Sequence, residues 1–210
     1  MPPVARSVVA YVDGFNLYYG LRSKNWRKYY WLDLVGLSRS LLKVNQTLIA
    51  VHYFTARIRL SGNNDADVQR QSDYLDALAQ LPELTIHFGH FLNKPRQCRK
   101  CGAHWMDYEE KMTDVNIATQ ILTDAFDDRF DTALLLSADS DLTTPVQKIR
   151  HRFPQKRVIV VQPPGRISVK LCKAATAAFT VGEAKLRQNQ LPPTVIMPNG
   201  HVLQCPDCWK

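Results

Sequence analysis

Apolar and polar positions alternate along the chain in two periods. Ser7-Val-Val-Ala-Tyr-Val12 is a short continuous apolar run, and Thr47-Leu-Ile-Ala-Val-His-Tyr-Phe-Thr55, Leu84–Phe91, Asp131–Ser137, Arg157–Val161 and Ala177–Val181 repeat the type. Runs of this length, rich in Val, Ile and Leu, predict buried strands. Between them lie stretches with helical spacing. Leu34, Leu37, Leu41 and Leu42 predict a helix over 33–43, and Val68, Leu75, Leu78 and Leu81 predict one over 65–80 that Pro82 ends. Val115, Ala118, Ile121, Leu122 and Ala125 give the buried side of a helix over 112–126. Shorter helices are expected at 16–23, 141–151 and 167–174. Strand–helix alternation of this kind predicts an α/β fold with a mainly parallel sheet and helices on both faces.

Residues 93–107 break the alternation. They are basic, contain Pro95 and hold the pair Cys98-Arg-Lys-Cys101, so they read as an inserted knuckle in a domain spanning 1–182. The tail, 183–210, is rich in proline and ends on a second pair, Cys205-Pro-Asp-Cys208. Two CxxC units in a chain expected to be cytoplasmic suggest metal rather than disulfides. The expectation is structural Zn²⁺ held by Cys98, Cys101, Cys205 and Cys208, with the tail folding back to complete the site. Cys172 is expected to be a core thiol.

Composition narrows the setting. The chain has 210 residues, 45% of them apolar, which suits one α/β domain with a small appendage. No run reaches the roughly 18 apolar residues of a membrane span, and the N-terminus lacks the pattern of a signal peptide, so no membrane partner is expected. The formal charge of +8 favours a polyanionic partner. Arg57, Arg59, Arg70, Lys94, Arg96, Arg99, Lys100 and Lys111 are candidate phosphate contacts. Tyr18, Tyr19, Trp26 and Trp31 are candidate stacking surfaces, although core packing is expected for most of them.

Acids gather where the predicted strands end. Asp13 follows the first apolar run, in Tyr11-Val-Asp-Gly-Phe-Asn16, where Gly14 is expected to permit a sharp turn. Asp139 and Asp141 follow the fourth run, and Asp114 begins the helix before it. Ligands of open α/β sheets bind beyond the carboxyl ends of the strands. If the first and fourth strands are neighbours, Asp13, Asp114, Asp139 and Asp141 converge on one pocket. Clustered carboxylates repel, so a cation is needed among them, and an all-oxygen ligand set suits Mg²⁺ or Mn²⁺. Such an ion serves phosphoryl chemistry. Asn16 is placed to orient an acid, a water or a phosphate. Each acid also has a plainer reading as a helix cap or dipole partner.

Three segments together resemble the NYN domain family, a branch of the PIN-like nucleases, and in particular its bacterial LabA-like members. They are Tyr11-Val-Asp-Gly-Phe-Asn-Leu-Tyr18, Glu110-Lys-Met-Thr-Asp-Val-Asn-Ile-Ala118 and Leu136-Ser-Ala-Asp-Ser-Asp-Leu142. The resemblance covers about residues 6–182. It implies a three-layer α/β/α sandwich with a central parallel sheet. It also implies a metal-dependent endoribonuclease site with Asp13, Asp114, Asp139 and Asp141 as the acids and Asn16 as their polar companion. Ala138 stands where the family often has Gly, and Leu142 where it often has Phe; neither removes a carboxylate. Two other readings are a non-catalytic RNA-binding or regulatory module, and an enzyme that uses the acidic pocket on a small molecule.

Overall fold

The computed structural model describes residues 5–58, 60 and 64–210, with the backbone alone at 93 and 105–110. The chain runs β1 (Arg6–Asp13), α1 (Gly14–Ser23), α2 (Leu34–Ser40), β2 (Gln46–Thr55), α3 (Asp65–Leu78) and β3 (Leu84–Phe88). It continues through β4 (His90–Gln97), β5 (His104–Lys111), α4 (Thr113–Phe126), β6 (Thr132–Leu136), α5 (Thr143–Arg152) and β7 (Arg157–Gln162). The last elements are α6 (Val169–Ala174), β8 (Ala177–Thr180), α7 (Glu183–Gln188), β9 (Thr194–Ile196) and β10 (Val202–Gln204).

Six strands form the central sheet in the order β3-β2-β1-β6-β7-β8, and every neighbouring pair is parallel. Both faces are covered. Val8, Ala10 and Val12 of β1 pack with Leu17, Leu34, Leu37, Leu75, Leu78 and Leu186 from α1, α2, α3 and α7. The alternate residues Val9 and Tyr11 pack with Ile117, Ile121, Val146, Ile149 and Leu171 from α4, α5 and α6. Side chains of a strand point to opposite faces in turn, so a strand covered on both sides must be apolar throughout. That is why the first and fourth apolar runs show no alternation.

The strand order has a functional consequence. From β1 the chain builds outward through β2 to β3, then returns to β6 on the other side of β1 and builds outward through β7 to β8. The connections therefore diverge between β1 and β6, and a crevice opens at the carboxyl ends of these two strands.

Three expectations change. Residues 93–107 are not a knuckle set into the sheet. They belong to a longer antiparallel hairpin, β4–β5, paired from His90↔Lys111 to Gln97↔His104. Lys111 accordingly closes a strand and is not part of the helix that carries Asp114. On α4 the buried residues are Ile117, Ile121 and Ala125, whereas Val115 is exposed. The helix begins at Thr113 beside the sheet, and this rotates Val115 outward. The tail does fold back, but onto the α2–α3 side of the core. Leu186, Leu191 and Leu203 are buried there, Trp31 Nε1 donates to the Pro192 carbonyl at 2.8 Å, and the Trp209 ring lies 5.6 to 6.3 Å from those of Tyr30, Trp31 and Tyr74.

Candidate active site

The crevice is built around Asp13. The carboxylate closes β1 and caps α1, accepting the Asn16 backbone N–H on Oδ1 at 2.9 Å. Its other oxygen accepts Asn16 Nδ2 at 2.6 Å and the Ser137 hydroxyl at 2.8 Å. Val12 of β1 pairs with Leu136 of β6, so Asp13 and Ser137 are the next residues to face each other across the two strands. Ser137 Oγ then accepts the Asp139 backbone N–H at 3.0 Å, and Asp139 Oδ1 accepts the Asp141 N–H at 2.9 Å. The capping reading holds for Asp13 and Asp139. Asp13 caps α1 and Asp139 caps the 3-10 turn Ser140–Leu142, and both side chains stand at the same sheet edge.

Asp13 is only 1% exposed. Burial pushes its pKa up; the hydrogen bonds from Asn16 and Ser137 pull it back, and the charge of Asp139 pushes it up again. The pocket therefore favours a cation beside Asp13. Asp139 is half-buried and Asp141 exposed. Asp114 is half-buried in the first turn of α4, which packs beside β1 and the Ser140–Leu142 turn. Among the described residues no three His, Cys, Asp or Glu side chains are grouped tightly enough to form a ready-made metal cage. Asp139 acts electrostatically on Asp13, and Asp139 Oδ1 holds the backbone N–H of Asp141.

Gly14 is the first residue of α1, and a Cβ there would lie 2.7 Å from the Phe54 carbonyl oxygen and 2.9 Å from the Tyr53 ring. It is glycine for close approach, not for the sharp turn its position suggested.

Ser137 and Arg166 join the site without being among the residues the sequence pattern points to. Ser137 lies inside the Leu136–Leu142 motif, beside its acids. Arg166 lies in the Pro163-Pro-Gly-Arg166 loop after β7, and its Nε donates to Asn16 Oδ1 at 2.9 Å. Asn16 is thereby fixed in orientation, with its NH₂ on Asp13 and its carbonyl on Arg166. The guanidinium is exposed and forms no ion pair among the described residues. A second, partly buried network lies on the α4 face of the sheet. Tyr11 donates its hydroxyl to Asp124 at 2.7 Å, His52 Nε2 is 3.4 Å from the same oxygen, and His52 and His87 ring nitrogens are 2.9 Å apart.

The predicted basic contacts fall in several places. Arg57 lies over the Phe88 ring at 4.9 Å, and Arg70 pairs with Asp67 at 2.6 Å. Lys94 and Arg96 lie on β4, Arg99 and Lys100 at the exposed hairpin turn, and Lys111 at the end of β5. Arg59 lies outside the described residues. Of the candidate stacking residues, Trp31 is 2% exposed, whereas Tyr18 and Tyr19 are 42% and 46% exposed.

Among the described residues the paired cysteines are not grouped as a metal site, so the four-thiolate zinc is not shown. Backbone N–H groups of Cys101 and Lys100 bond to the Cys98 sulfur and lower its thiol pKa, so the hairpin turn has a knuckle's local shape. The other pair is carried elsewhere by the tail, whose apolar docking onto the α2–α3 side holds Cys205 against the core. All five cysteines are free thiols.

Comparison with known proteins agrees with the fold. The NYN domain pattern matches residues 7–183. The chain is 32% identical over 190 residues to 6-hydroxy-3-succinoylpyridine 3-monooxygenase HspA of Pseudomonas putida, an alignment covering 74% of this chain and 59% of that protein. It thus spans about three fifths of the length of the curated relative it matches. A crystal structure of a protein of unknown function from Vibrio parahaemolyticus aligns with a TM-score of 0.54 at 20% identity, over 87% of this chain and 97% of that one. The match across most of the sequence and the six-stranded parallel sheet with its acidic crevice have one meaning: this chain belongs to the NYN domain family.

Proposed function

We propose that the crevice is the active site of a metal-dependent ribonuclease. The observation that carries this reading is the pairing of Asp13 and Asp139 at the β1–β6 divergence, with an exposed guanidinium tied to the same hydrogen-bond chain. The donor set fits Mg²⁺ or Mn²⁺. Asp13 Oδ1 carries one hydrogen bond and Asp139 Oδ2 none among the described residues, so each retains lone pairs for an ion. Mg²⁺ commonly takes one or two carboxylates and keeps water and substrate oxygens for its remaining positions, so it does not need a preformed cage of three side chains. Asp13 and Asp139 would hold the ion directly, and Asp114 and Asp141 would hold its waters. The ion would supply a Lewis acid for the phosphoryl oxygen and a bound water of lowered pKa.

The chain's own groups have distinct tasks. Asn16 and Ser137 fix the Asp13 carboxylate by three hydrogen bonds, so the ligand is preorganised. Arg166 keeps its terminal nitrogens for a non-bridging phosphate oxygen, where a planar fork of donors matches the geometry. The charge of +8 draws the polyanion toward a pocket that is itself acidic. A second reading, an enzyme acting on a small aromatic molecule, draws on the 32% identical relative named as a monooxygenase.

The test offers purified protein labelled RNA, single-stranded DNA and duplex DNA, each with Mn²⁺, Mg²⁺ or EDTA. RNA cleavage that requires the metal and is lost in Arg166→Ala and Asp139→Asn supports the ribonuclease. Intact RNA under every condition rejects the ribonuclease.

A further inference from the structure

Helix α1 connects the crevice to a row of aromatic rings. Asn16 stands in its first turn, and Tyr19 and Arg22 follow at intervals of three residues, with Tyr18 four residues before Arg22. Residues three and four apart on a helix are surface neighbours, so these side chains share one strip. The rings of Tyr19 and Tyr18 are 5.3 Å apart, those of Tyr18 and Tyr30 5.2 Å, and those of Tyr30 and Trp209 5.6 Å. The row begins in solvent at the two tyrosines and sinks to half-burial at Tyr30 and Trp209.

The charge around the row that is unpaired among the described residues is positive. Arg22 and Arg27 are exposed, act electrostatically on the Tyr30 hydroxyl, and form no ion pair among the described residues. The nearby acids are already paired, Glu183 with Lys28 at 3.3 Å and Asp207 with Lys210 at 2.6 Å. Exposed aromatic faces bordered by unpaired arginines are the means by which proteins track single strands, because every base has a π-face and every nucleotide a phosphate. The planes of successive rings differ by 67°, 46° and 79°. Bases meeting them must turn relative to one another. A flexible single strand permits that, and a duplex, whose base faces are already stacked, does not.

We infer that Tyr19, Tyr18 and Tyr30, bordered by Arg22 and Arg27, form a stacking track for single-stranded RNA leading to the crevice. The inference rests on the ribonuclease reading for its substrate, and it restricts that substrate to unpaired strands.

The test is fluorescence anisotropy with labelled oligouridylate and a blunt RNA duplex of equal length, in EDTA and at one fixed salt concentration. Wild type binds the single strand more tightly. The double variant Tyr18→Ala, Tyr19→Ala loses roughly 5- to 100-fold in affinity for each base no longer stacked. Tyr18→Phe with Tyr19→Phe keeps the rings and stays near wild type, and circular dichroism checks the fold of both. The inference is overturned if wild type shows no preference for the single strand. It is equally overturned if the alanine pair binds oligouridylate as wild type does, or loses the same factor on the duplex. Metal-dependent cleavage measured on the same preparations separates the two claims. Cleavage without an effect of the alanine pair leaves the nuclease and removes the track; single-strand binding through the tyrosines without cleavage does the reverse.

Discussion

Asn16 makes two demands on one amide. Its NH₂ group steadies Asp13 and its carbonyl holds Arg166, so a residue expected to orient an acid, a water or a phosphate also places a guanidinium. Asn16→Ala keeps the backbone N–H on Asp13 but removes both side-chain bonds. Misplacing catalytic groups by about 1 Å can cost on the order of a hundredfold. RNA cleavage by Asn16→Ala is therefore expected to fall by about that factor in kcat/KM, and an unchanged value would deny the residue this part. The half-buried histidines make a different prediction. Burial pushes the pKa values of His52 and His87 below the ordinary value of 6.5, while Asp124 opposes the shift. As pH falls below 6.5, the unfolded chain takes up protons that the folded chain refuses. The stability present above pH 6.5 is thus lost as pH falls through the lowered folded values. Thermal unfolding between pH 8 and 5 should show this decline, and His52→Gln with His87→Gln should flatten it. A wild-type curve level across that range would contradict the burial argument.

At the level of elements, α1 is held against the loop that carries Arg166. A Cβ at Gly20 would lie 2.7 Å from the Pro164 carbonyl oxygen and 2.9 Å from Pro163 Cβ. Gly20→Ala gains about 1 kcal/mol of helix propensity. Overpacking against backbone costs about 1–3 kcal/mol. The clash prevails, and urea unfolding is expected to show a net loss of about 1 kcal/mol together with weaker RNA cleavage, because Arg166 moves with the loop. A more stable variant would mean that the helix has room to shift. The tail is tested in the same way. Trp209 is half-buried among three rings, so Trp209→Ala should cost about 2 kcal/mol, below the roughly 3–5 kcal/mol of a fully buried aromatic. No loss would show that the tail does not contribute to the core.

The whole molecule shows which features were legible in its sequence. Strands buried on both faces read directly as apolar runs, so the parallel sheet, Asp13 and the acids after β6 could be placed from the pattern. Asn16 was legible because it lies three residues from Asp13. Arg166 lies 150 residues from Asn16, and only the divergence of the chain at β1 and β6 brings the β7 loop to its side. The cysteine pairs were less legible for the opposite reason. Their spacing specifies a local turn, which forms at Cys98, but the docking of the tail depends on Leu186, Leu191, Leu203 and Trp209, whose apolar character does not announce a location. Among the described residues no helix is long and apolar enough to cross a membrane. Asp13 and Asp139 are the two carboxylates proposed to hold the catalytic ion. The most direct test is the rate of cleavage of single-stranded RNA as a function of Mn²⁺ concentration, for wild type, Asp13→Asn and Asp139→Asn. Wild type should show a saturable Mn²⁺ dependence, abolished by Asp13→Asn and shifted to much higher Mn²⁺ or lost in Asp139→Asn. Equal rates in all three proteins, or cleavage by wild type that persists in EDTA, would contradict this assignment.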